Sequence, residues 1–213
     1  MTAPTPTRTG RPAKRTAIDC AARAVFGREG YTRASMDSIA AEAGVSKRTI
    51  YNHYQDKEQL LLSVLQESTH ALSAHQQELI DRHLSDPADL RAGLLALGRA
   101  LAAPQSGFEQ HFALVRVIFA EASRLPAEVI GGWRAEGPRR TQALLAEHFT
   151  TLTQAGRLRA DDPAQAAAHF TQLAMSEAYE RSFHGALPLP STELDELVAS
   201  GVNAFLRLYE AVD

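Results

Sequence analysis

The sequence predicts an all-α fold on three observations. Apolar residues recur three and four positions apart in nearly every segment, the spacing of a helix face. No stretch of useful length alternates apolar and polar residues as a half-buried strand would. Glycine, proline and Ser or Asp caps punctuate the chain at helix-length intervals. The 213 residues, 45% hydrophobic and 22% charged, describe an ordinary globular chain with one large domain or two small ones.

The elements follow in order. Residues 1–13, rich in Thr, Pro and Gly, read as a flexible basic arm. Ile18, Ala21, Ala22, Val25 and Phe26 then form the stripe of a first helix, which Gly30 ends. Ser35 is placed to cap a second helix with the stripe Met36, Ile39, Ala40 and Ala43. Gly44 interrupts, and Ser46 caps a third helix through Ile50 to about Tyr54. Asp56 with Gln59 opens a fourth that nothing breaks before about Leu84. At 1.5 Å per residue it reaches roughly 40 Å. Further helical stretches lie at about 87–103, 108–124, 127–155, 163–184 and 192–211. Gly131, Gly132 and the pair Gly137-Pro138 make the opening of the third of these irregular.

Composition excludes several classes. The single Cys20 rules out an intrachain disulfide and a thiolate metal cluster, and its helical surroundings suggest a small core filler. No apolar run approaches the roughly 20 residues that cross a bilayer, and the N-terminal MTAPTPTRTGRPAKR has no apolar centre, which places the chain in the cytoplasm. There is no H-E-x-x-H, no Gly-rich phosphate loop, no G-x-S-x-G and no metal-ligand spacing among the histidines, so neither an enzyme nor a cofactor is expected. The formal charge of -3 argues against a nucleic-acid partner only as an average. Residues 1–60 hold ten Lys or Arg against six Asp or Glu, a net +4, and the rest carries −7. A basic head on an acidic body is the asymmetry expected when one part meets a polyanion.

The segment SMDSIAAEAGVSKRTIYNHY, Ser35 to Tyr54, has the layout of a helix-turn-helix. Ile39, Ala40, Val45 and Ile50 are apolar where two steeply crossed helices must touch. Burying Ile50 and Tyr54 leaves Lys47, Arg48 and Tyr51 on the face that would enter a major groove.

Over residues 14 to 65, GYTRASMDSIAAEAGVSKRTIYNHYQDKEQLL and the helix before it resemble the DNA-binding domain of the TetR family of bacterial transcriptional regulators. The resemblance implies a helix-turn-helix domain at 14–60, joined through the long fourth helix to a ligand-binding and dimerisation domain at 61–213. It places Lys47, Arg48 and Thr49 at the start of the recognition helix. There Lys47 or Arg48 would pair with guanine O6/N7, and Thr49 with a thymine methyl or a phosphate. Tyr51, His53 and Lys57 fall where the family touches phosphates, which fix register without reading sequence. Ser35 is a cap first and a phosphate ligand second. Arg8, Arg11, Lys14 and Arg15 could reach the DNA from the arm.

For the body, the resemblance implies a homodimer through the last two helices, whose stripes run from Ala164 to Ala178 and from Leu194 to Tyr209. Mechanism points the same way: two recognition helices one DNA turn apart read a palindromic operator. Aromatic residues gather in the central helices. The family reading is a pocket for a small apolar or amphipathic effector lined by Phe112, Trp133 and Tyr179, with His111 and Glu121 as polar anchors; the plain alternative is core packing. FALVRVIFAEASRLP and GRLRADDPAQAAAHF are similar to the ligand domains of regulators tied to efflux genes. The expected function is a repressor released from its operator by that effector. The alternatives are an activator or partner-controlled regulator of the same fold, or an all-α small-molecule-binding protein or enzyme.

Overall fold

A computed structural model describes residues 10–85 and 87–211. Its regular structure is helical, with one isolated antiparallel bridge between Leu158 and Glu210 among the described residues. Arg8 and the rest of 1–9 lie outside them.

Helix α1 runs Arg11–Arg33, beginning inside the segment expected as an arm. Pro12 sits in its first turn, where a missing N–H removes no hydrogen bond. Gly30, at φ 79° and ψ 168°, breaks the helical conformation near its end. Ile18, Ala22, Val25 and Phe26 are fully buried. Cys20 is exposed instead of filling the core, because position 20 turns away from that stripe and faces Arg23.

Helices α2 (Met36–Glu42) and α3 (Lys47–Tyr51) are joined through Gly44 at φ 64°. The third helix is shorter than expected, and Tyr54 lies beyond it with its ring still buried. Helix α4 spans Lys57–Leu84, capped by Asp56, whose carboxylate accepts from the Gln59 amide at 2.8 Å. Helices α5 (Leu90–Ala102) and α6 (Glu109–Glu121) follow, then a 3₁₀ turn at Ala122–Arg124. Helix α7 (Ala127–Arg134) continues through one π turn, Ala135–Arg139, into α8 (Arg140–Gln154). Gly137-Pro138 therefore widens a continuous helical path rather than ending it, since Pro138 has no N–H to give and the wider turn accommodates its ring. Helices α9 (Pro163–Arg181) and α10 (Ser191–Tyr209) complete the chain. The former stops short of residue 184 because Phe183 and His184 take positive φ.

Two buried clusters organise these elements. The first joins α1 to α4 through Ile18, Phe26, Ile39, Ile50, Leu60 and Leu65, and it also takes in Leu114, Ile118, Leu125 and Val129 from α6 and beyond. The second centres on Phe149, Phe170 and Phe205, whose rings meet at 5.3 to 5.9 Å between α8, α9 and α10. Each such side chain contributes on the order of 1.5–3 kcal/mol by leaving water. Where α9 crosses α10, Gly201 lies against the carbonyl of Leu173 so closely that a Cβ would overlap it.

Candidate nucleic-acid interface and internal cavity

The outer face of the head is set by caps that are local in sequence. Ser35 Oγ accepts from the Ser38 amide at 3.0 Å while Ser38 Oγ accepts from the Ser35 amide at 3.1 Å, a reciprocal capping box that starts α2. Ser46 Oγ accepts from the Thr49 amide at 3.2 Å and starts α3. With Ile50 and Tyr54 buried beneath, Lys47, Arg48 and Tyr51 stand exposed on one surface. Tyr54 is fixed by a 2.5 Å hydrogen bond from its hydroxyl to the buried carboxylate of Asp19 on α1.

The site residues differ in how free they are. Lys47 Nζ lies 2.9 Å from Asp37 of α2, and that partner raises its pKa, through the hydrogen bond first and the charge second. Arg48 makes no ion pair among the described residues. Thr49 Oγ1 is 2.9 Å from Ser46 Oγ. His53 is half-buried on the rim of an open groove with Pro12, Arg15 and Asn52. Lys57 is differently engaged: its Nζ donates to the carbonyls of Tyr31 and Ala34 at 2.8 and 2.9 Å and lies 4.4 Å from the centre of the Tyr31 ring. Its ammonium thus serves the carbonyl end of α1.

Opposite that cation, the body supplies an anion. The carboxylate of Glu121, the last residue of α6, accepts from the amides of Tyr31 and Thr32 at 2.9 and 3.0 Å and from the Thr32 hydroxyl. Burial opposes its ionisation, but the hydrogen bonds from Thr32 and Tyr31 and the charge of Arg124 outweigh it, and the carboxyl titrates below its usual range. Gly30 makes room for the clasp, since a Cβ there would run into Glu121 Oε1. Glu121, expected as an anchor for a ligand, is committed to the head and does not line the cavity. Its partners lie 89 and 90 residues earlier, so no local sequence pattern could have revealed them.

A cavity of about 210 Å³ lies between α4, α5, α6, α7, the π turn, α8 and α9. Phe112, Trp133 and Tyr179 all line it, as does His111. Trp133 meets Phe119 edge-on at 5.8 Å, and His184 stacks on Phe119 at 4.7 Å and on Tyr179 at 5.7 Å. Tyr179 donates to the Leu101 carbonyl at 2.8 Å, and burial pushes its phenol up to about 12. Burial likewise lowers the His111 imidazole to about 4, so the ring is neutral. Sequence reasoning missed the neutral polar part of the wall, Thr69, Ser73, Gln76, Thr141, Gln142 and Thr171. Their types match those of any solvated helix face, so only the packing of helices distinguishes them.

A helix-turn-helix with two cations on its outer face, carried by a larger helical body, defines a DNA-binding regulator. The profile described as bacterial regulatory proteins, tetR family, matches residues 20–64, and that of the AefR-like transcriptional repressor, C-terminal domain, matches residues 92–211. The chain belongs to the TetR family of bacterial transcriptional regulators, whose members bind DNA and act as dimers. It is 24% identical over 190 residues to the HTH-type transcriptional repressor Rv1474c of Mycobacterium tuberculosis, covering 89% of this chain and 93% of that one. A solved TetR-family structure from Mesorhizobium loti superposes with a TM-score of 0.82 at 31% identity, covering 95% of this chain and all of the other. The flavonoid-responsive regulator FrrA superposes at 0.68 with 27% identity, again over 95% of this chain and 100% of its own. Among the described residues no helix is long and apolar enough to cross a membrane.

Proposed function

We propose that the protein is a cytoplasmic, homodimeric repressor without catalytic activity, with a reading head at 14–60 and an effector and dimer domain at 61–213. Two copies of α3 bind a palindromic operator at half-site spacing, roughly 34–36 Å apart. The observation that carries this reading is the exposure of Lys47 and Arg48 on α3 while Ile50 and Tyr54 anchor the opposite side. Arg48 and Lys47 read guanine edges, and Ser35, Thr49, Tyr51 and His53 hold phosphates. Lys57, whose ammonium also holds the carbonyls of Tyr31 and Ala34, adds a further phosphate contact. Lys14 and Arg15, in the first turns of α1, add phosphate contacts.

A small apolar or amphipathic effector occupies the cavity lined by Phe112, Trp133 and Tyr179 and favours a conformation with a different head spacing. Its influence on DNA affinity is set by its differential affinity for the two states. The wall of the cavity supports this reading, as does the name of FrrA, a regulator of the same fold that responds to flavonoids. Efflux genes are the proposed targets.

The test begins with selection of genomic fragments bound by the full chain, which supplies the operator. The double substitution Lys47→Ala/Arg48→Ala should remove specific binding to it in a gel-shift titration while the dimer persists in sedimentation. Unchanged affinity would refute the assignment of the reading face.

A further inference from the structure

We propose that the effector is an uncharged aromatic molecule carrying a hydroxyl, and that His111 selects it by accepting the hydroxyl's hydrogen bond on Nε2. This deepens the preceding reading of the cavity and rests on it.

The first ground is what the wall lacks. Among the residues lining the cavity there is no Asp, Glu, Lys or Arg. A carboxylate or ammonium moved there from water would lose its hydration without gaining a partner of opposite charge. The apolar part of the wall sets four rings, Phe112, Phe119, Trp133 and Tyr179, among aliphatic side chains such as Leu72 and Met175, and an apolar cavity of roughly 150 Å³ already accepts benzene. At about 210 Å³ this one has room for a substituted or fused ring.

The second ground is a proton count. Ser68 Oγ lies 3.1 Å from the Leu65 carbonyl and 3.0 Å from His111 Nδ1. A serine hydroxyl has one proton to donate. Both contacts are hydrogen bonds only if Ser68 donates to the carbonyl and receives from Nδ1–H. The neutral ring then carries its proton on Nδ1 and leaves Nε2 as a bare acceptor. That nitrogen has no partner among the described residues. It is also not one of the sealed, unpartnered polar atoms, which are Thr69 Oγ1, Gln105 Oε1 and Thr153 Oγ1. The open space that His111 borders is the cavity. A ligand hydroxyl would satisfy Nε2, whereas the matching methyl ether would exclude water and leave the acceptor unmade. Sites built around a hydrogen bond discriminate strongly against analogues that lack the donor. Thr69, whose Oγ1 is buried without a partner, belongs to the same wall.

Trp133 is the sole tryptophan of the chain and lines the cavity, so its fluorescence reports occupancy directly. The experiment titrates the full-length protein with matched one- and two-ring compounds: phenol and naphthol, their methyl ethers, benzoate and naphthoate, and the trimethylammonium analogues. Phenols should quench Trp133 with dissociation constants about ten-fold or more below those of their ethers. The charged analogues should be weakest. His111→Phe should erase the phenol preference, and His111→Gln, which keeps an acceptor, should restore part of it; circular dichroism checks that both variants fold. The proposal is overturned if ethers match phenols, if a charged series binds tightest, if no member of the panel quenches, or if His111→Phe keeps the preference. DNA affinity separates the two readings. Phenols that bind selectively without releasing the operator would sink the effector role and leave the chemistry of the cavity standing. Release by a charged ligand would do the reverse.

Discussion

Asp37 holds Lys47 at 2.9 Å on the surface that would face DNA, so a carboxylate would compete with DNA for that ammonium. Removing that charge should free the lysine and relieve repulsion from the backbone. Asp37→Asn is expected to raise affinity for unspecific duplex several-fold and to steepen its salt dependence by up to about one phosphate contact, read by anisotropy across a salt series. An unchanged slope would mean that Lys47 does not meet phosphate. A second residue-scale effect comes from His111. Its folded form resists protonation until about pH 4, whereas an unfolded imidazole titrates near 6.5. Between those values the unfolded state binds a proton that the folded state does not, so stability should fall as pH drops from 6.5 towards 4. The loss approaches about 3 kcal/mol. Urea unfolding at pH 7 and 4.5 should show this slope in the wild type and a flatter one in His111→Gln.

Among the elements, the joint between α1 and α6 depends on one carboxylate. Glu121→Gln keeps the size but weakens the hydrogen bonds from Tyr31, Thr32 and the Thr32 hydroxyl. Because the folded carboxyl titrates below its usual range, its stabilisation is present above the ordinary value near 4.5 and is lost as pH falls through the lower folded value. Thermal melts below pH 4.5 should therefore show a steeper acid-dependent loss in the wild type than in the variant. Helix starts were legible because Ser35, Ser46 and Asp56 cap amides only three residues away. The Glu121 clasp and the Lys57 bonds to Tyr31 and Ala34 were not, since nothing near either side chain in sequence identifies a partner in another helix. Gly137-Pro138 announced an irregularity whose form, a π turn within a continuous path, depends on packing against Thr69 and Trp133. Phe112, Trp133 and Tyr179 could be picked out as aromatics in central helices, but sequence alone does not separate a cavity wall from filled core.

At the scale of the whole molecule, α9 and α10 leave Leu173 and Leu208 exposed, 37% and 54% accessible in the single chain. If these helices form the twofold surface, Leu208→Glu buries a charge in it and should yield a folded monomer by analytical ultracentrifugation, with loss of operator affinity and retention of helical content. A dimer of unchanged strength would move the interface elsewhere. The Glu121 clasp bears on modular engineering. A chimera that joins residues 10–60 to a foreign body would leave the amides of Tyr31 and Thr32 without their acceptor, and would strip Leu114, Ile118 and Val129 from the cluster around Phe26. The reading head is therefore not a portable cassette: transplanting its operator preference means carrying α6 with it, or rebuilding a carboxylate at the same place in the recipient.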